Sequence, residues 1–205
     1  MKRSKKMNFI VVGIIVFSII GLFYSSVYAA TPTFSCACSR GVCVYYYIEN
    51  GSNNVLYNAI RDAAYNWEHT GHGYNPIYLY IKNNNSGTAM DFYAKTSSYW
   101  GTDGSSVLGE TYHRNGSGNQ VNPDTNNWLY SDICLNSTLL TGSYSWEQQG
   151  TSAHEMGHAF GLKHYSTASN PSNPNLSIMF TTGQGRTTQV VQAEDNDAIN
   201  LKYGE

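Results

Sequence analysis

The chain has 205 residues and a formal net charge of −2. That is about one globular domain, with no electrostatic case for binding nucleic acid or an anionic membrane. Only 13% of residues are charged, while tyrosine (17) and small polar residues are abundant, a surface that suits an extracellular protein.

Residues 1–29 read as a signal for export. Lys2, Arg3, Lys5 and Lys6 form a positive start, residues 8–23 are nearly all apolar, and Val27-Tyr28-Ala29 offers a cleavage site after Ala29. The apolar run is shorter than the roughly 20 residues that a membrane span prefers, so cleavage and secretion are expected, with no stable membrane association afterwards. Residues 30–43 form a short cysteine-containing segment, and one domain fills 44–205. The four cysteines, Cys36, Cys38, Cys43 and Cys134, are an even number in an exported chain, which predicts two disulfides and no free thiol. Cys36 and Cys38 are too close to pair easily. Either one of them pairs with Cys43 and the other with Cys134, or Cys43 pairs with Cys134 and leaves a strained remainder; both schemes stay open.

Val44-Tyr45-Tyr46-Tyr47-Ile48 is aromatic and β-branched, a strand. A polar turn with a helix cap follows at 51–54, and Leu56, Ile60, Ala63 and Trp67 then recur at helical spacing until Thr70-Gly71. Further strands are predicted at 77–81, 89–93, 106–112 and 130–136. The stretch 114–128 is a Gly/Asn-rich loop. His69, His72 and His113 are read as surface or loop histidines. Ser145 with Gln148 makes a capping-box start for a helix running to about Phe160. Ala193-Glu194-Asp195 opens the last helix, with acids at its positive end.

The helix that ends near Phe160 carries the chemistry. His154 and His158 are four residues apart, so both imidazoles project from one face and can grip one metal ion. Glu155 points about 100° round the helix from His154, placed to reach a water on the metal without ligating it. Gly161 can adopt a left-handed conformation and stop the helix, so the chain doubles back and His164 becomes a third ligand. Three neutral imidazoles and an open position are the donor set of a catalytic zinc.

His154-Glu155-Met156-Gly157-His158-Ala159-Phe160-Gly161-Leu162-Lys163-His164 matches the metzincin signature HExxHxxGxxH at every fixed position. Within the metzincins the chain most resembles a matrixin-type catalytic domain over 44–204, strongly around the histidines and weakly in the middle. The resemblance implies an α+β zincin fold: a twisted, five-stranded, mostly parallel sheet with an antiparallel edge strand, and three helices. It implies a zinc endopeptidase acting on proteins or peptides as a monomer, with Glu155 as general base and Met179 as the methionine turn beneath the metal. It also places Leu108 and Gly109 on the edge strand that binds substrate, and the 181–188 loop as the specificity wall. One catalytic zinc is expected. The histidine and aspartate pattern of the matrixin structural zinc is missing, and the few scattered acids do not support calcium. No Arg-Cys-Gly-type latency switch is found. Thr181 stands where related families carry a transition-state tyrosine, Tyr165 where matrixins have a small residue, and Asn196 where they have an apolar one. A non-catalytic zinc-binding adhesion or inhibitor domain would be expected to lose Glu155. A cell-wall amide hydrolase would be expected to carry a wall-binding module.

Overall fold

The computed structural model describes residues 30–50, 52–141, 146–166 and 172–204. The export signal and Ser145 of the expected capping box lie outside these. The elements are β1 (Cys43–Ile48), α1 (Asn54–Glu68), β2 (Tyr78–Lys82), β3 (Met90–Lys95), β4 (Gly109–Arg114), β5 (Tyr130–Asn136), α2 (Trp146–Phe160) and α3 (Ala193–Tyr203). They form one sheet in the order β2-β1-β3-β5-β4. The pairs β1–β2, β1–β3 and β3–β5 are parallel, and β4 runs antiparallel along β5 at the edge. This is the α+β architecture expected from the sequence: a five-stranded, mostly parallel sheet with an antiparallel edge strand, and three α-helices. Among the described residues no helix is long and apolar enough to cross a membrane.

The period-two pattern of β1 decides which face is inside. Val44, Tyr46 and Ile48 are buried, while Tyr45 points outward, its ring tilted against that of Tyr80 of β2 at 5.7 Å. The Asn53 side chain caps α1 by accepting from the Leu56 N–H at 2.8 Å, a contact worth ~1 kcal/mol. Leu56, Ile60, Ala63 and Trp67 then form its buried face. Trp67 joins α1 to α2: its indole N–H donates to the Ala153 carbonyl at 2.9 Å, and its ring meets Phe160 edge-on at 5.3 Å. α2 in turn packs on β4 and β5, so the helix that carries the histidines lies beside the sheet's antiparallel edge.

Two expectations are corrected here. The fourth strand starts at Gly109 and not at 106, because residues 97–105 coil into 3₁₀ turns. Asn136, at the end of β5, holds that coil: its Nδ2 donates to the carbonyls of Gly104 (3.0 Å) and Val107 (2.8 Å). The disulfides are also absent, and all four cysteines are free. Sheet register gives the reason for Cys134. Tyr46 is level with Met90, and Met90 with Ser131, so Cys43 is level with Trp128, six residues short of Cys134. That is roughly 20 Å of strand, far beyond the ~7 Å between Cα atoms that a disulfide tolerates. Cys38 bridges to Trp128 and Cys36 bonds to Pro123, so both also lie at the far end of β5 from Cys134.

The segment at 30–42 is laid across the body of the fold. Thr33 pairs with Leu162, the Phe34 N–H donates to the Gly161 carbonyl (2.8 Å), and the Thr31 hydroxyl donates to Asp195 (2.7 Å). It braces the chain where α2 ends and reverses.

Candidate active site

α2 ends as its sequence requires. Gly161 has φ +99°, a conformation that a side chain resists, and the Leu162 N–H closes on the Gly157 carbonyl at 2.9 Å. The chain reverses, Lys163 N–H bonds to Pro32, and His164 arrives opposite His154 and His158. The ring centroids of the three histidines are 4.8 to 5.1 Å apart, and one nitrogen from each lies within 4.8 Å of the others.

Two of the rings are oriented from behind. His154 Nδ1–H donates to the Ile178 carbonyl and His158 Nδ1–H to the Leu162 carbonyl, both at 2.8 Å. A carbonyl only accepts, so both protons sit on Nδ1 and both Nε2 lone pairs are free for a ligand bond. Burial, reinforced by the neighbouring His158, holds His154 well below its usual pKa. Burial and His164 push His158 down to about 3, and burial lowers His164. Neutral imidazoles are the form that binds a metal, and the donor set fits zinc.

Glu155 is buried beside this cluster. The Thr111 hydroxyl of β4 lies 2.8 Å from its Oε2 and 3.0 Å from its backbone carbonyl. Burial pushes the carboxyl up to about 7, against the pull of the Thr111 hydrogen bond. Gly109 passes so close that a Cβ there would lie 2.9 Å from Glu155 Cγ. The absence of a side chain at this position lets the edge strand reach the carboxylate.

Met179 is fully buried under α2, where a Cβ on Gly157 would overlap its sulfur. The turn around it hangs on Asp195 of α3: Oδ2 accepts from the Ile178 N–H (2.8 Å), and the Ser177 hydroxyl donates to Oδ1. Since Ile178 also orients His154, Asp195 supports a histidine without touching it. Tyr165 closes the turn from above. Its N–H donates to the Met179 carbonyl (3.1 Å), and its ring packs on Phe180 at 4.8 Å.

A cavity of about 630 Å³ opens over the three histidines. Leu108, Gly109, residues 181–183 and Arg186 are in its wall. The structure thus brings Glu155, His154, His158, His164, Leu108 and Gly109 to one cavity, with Met179 beneath. His113 is corrected: it is buried on β4, 4.4 Å from the Trp128 ring, and burial pushes it down to about 4. His69 and His72 are exposed as expected. Thr111, Asp195, Thr151 and Arg186 were missed as site residues, since nothing local in sequence marks them.

The sequence matches no protein-family model and no curated protein. Among solved structures the chain is similar to high choriolytic enzyme 1, a hatching enzyme zinc-protease from Oryzias latipes (medaka fish). Identity is 15% and the TM-score 0.46, with 83% of this chain and 94% of that chain covered.

Proposed function

We propose that the chain is an exported zinc-dependent endopeptidase of the metzincin type, matrixin-like in the order of its elements. The observation that carries the reading is the three-imidazole cluster: two rings tied through Nδ1, three nitrogens converging, and a buried carboxylate alongside. Zinc held by His154, His158 and His164 would supply a Lewis acid that acidifies water and polarises the scissile carbonyl. Glu155 accepts the proton of the attacking water and delivers it to the leaving amine. Thr111 holds Oε2 of that carboxylate and leaves Oε1 for the water. Met179 is the floor and takes no part in the chemistry.

The peptide lies along β4. The far end of that strand is covered, because Arg114 bridges to Gln120 and Val121 bonds to His113. The stretch at Leu108 and Gly109 borders the cavity instead. A substrate added there as a further antiparallel strand passes over Glu155 and the histidines. The test is cleavage of a mixed set of peptides by the purified chain. Cleavage that stops with a chelator and returns with added zinc is the expected result. A fully zinc-loaded chain that cuts nothing would overturn the reading.

A further inference from the structure

Arg186 is only 3% exposed, yet it lines the cavity together with His154 and Glu155. Its Nε donates to the Phe180 carbonyl at 2.7 Å and one Nη to the Thr188 carbonyl at 2.6 Å. A guanidinium has five N–H donors, so three are left without a protein acceptor among the described residues. No carboxylate of the described residues touches it: the contact ion pairs are Arg114–Asp132 and Lys163–Asp124, and Glu155 and Asp195 favour its charge only from a distance. A buried cation in that state is costly unless something anionic joins it.

The facing helix is shaped to admit the guanidinium. A Cβ on Gly150 would come within 2.7 Å of the Arg186 Nη, so glycine lets the group lie against the first half of α2. The next residue supplies an independent observation. Thr151 is 3% exposed and lines the same cavity, and its hydroxyl oxygen is shut off from water with no hydrogen-bond partner. Buried hydroxyls are normally satisfied. Here a cation with spare N–H donors and no contact ion pair borders one cavity with an unpaired hydroxyl, one helical turn from His154.

We propose that Arg186 and Thr151 form a carboxylate subsite, taking the acidic side chain of an Asp or Glu next to the bond that is cut. One positive charge and one hydroxyl match a carboxylate, which accepts two parallel N–H bonds from a guanidinium and, once the Thr151 side chain rotates its hydroxyl into the cavity, a further bond from the threonine. The inference rests on the endopeptidase reading and narrows it to acidic substrates. The two hydrogen bonds from Arg186 to the 180–188 loop are also a structural role, so the test must read charge preference and not activity alone.

The experiment profiles wild-type cleavage sites in a mixed-peptide library. It then measures kcat/KM for a matched pair of peptides, Glu against Gln at the enriched position, each with free and with amidated C-termini. The enzymes are wild type, Arg186→Gln and Thr151→Val. Wild type is expected to favour Glu by about tenfold or more, the scale of a hydrogen-bonded charge pair. Arg186→Gln should bring the ratio near one. Thr151→Val, which leaves both loop hydrogen bonds in place, should lower it partway, and it decides the matter if Arg186→Gln does not fold. Cleavage with no acidic preference, or an unchanged ratio in the variants, overturns the subsite and leaves the endopeptidase reading standing. A preference that needs a free C-terminal carboxylate overturns the side-chain assignment. Failure of the zinc-loaded chain to cut any peptide defeats the endopeptidase reading, and the subsite with it.

Discussion

Glu155→Gln is expected to cut peptide turnover by at least ~10²-fold while leaving one metal per chain. The substitution keeps the size of the side chain and can still bond to Thr111, which lies 2.8 Å from Oε2. What it removes is the proton acceptor. General-base assistance is worth about 10²–10⁴-fold, and here one group must both take a proton and return it. The metal should be unaffected, because the two rings oriented from behind bond to Ile178 and Leu162 and not to Glu155. Zinc content and turnover measured on one preparation separate the outcomes. Activity within a few-fold of wild type means that Glu155 is not the base. Loss of zinc along with activity means that it supports a ligand.

Gly157→Ala should be damaging although it adds only a methyl group to a helix. The new Cβ would overlap the Met179 sulfur and lie 3.3 Å from the Trp67 ring. Met179 cannot withdraw freely: its N–H bonds to Ser177 at 2.9 Å, and Asp195 anchors the turn. Overpacking of this kind costs about 1–3 kcal/mol, against an alanine helix propensity gain of about 1. The expected outcome is a lower Tm, by roughly 2–4 °C per kcal/mol lost, and weaker zinc binding, since moving the turn displaces the Ile178 carbonyl behind His154. Trimming Met179 to alanine in the same chain should recover part of the zinc affinity. An unchanged Tm with unchanged affinity would show that the methionine does not press on the helix.

What the sequence made legible was local. The histidine spacing, the glycine stop and the direction of Glu155 follow from helix geometry alone, and each stands where that geometry puts it. A capped turn before α1, β5 and α3 were readable because their patterns are strong over a few residues; that Asn53 is the capping residue comes from the structure. Contacts between distant segments were not readable. Thr111 meets Glu155 across 44 residues, and the Asp195 carboxylate reaches Ser177 and Thr31 across 18 and 164. In sequence, Asp195 is simply an acid at a helix start. The cysteines failed for the same reason: their even number says nothing about register, and register puts Cys134 far from the other three. His113 looked like a loop residue because it borders a Gly/Asn-rich stretch. It is buried because β4 turns that position toward Phe34 and Trp128.

The most direct test of the account is a count of zinc in the folded, purified chain, for wild type and for His158→Ala combined with His164→Ala. The account predicts one zinc per wild-type chain and essentially none in the double variant, because a single remaining imidazole cannot hold the ion. Full zinc retained by the double variant would contradict it.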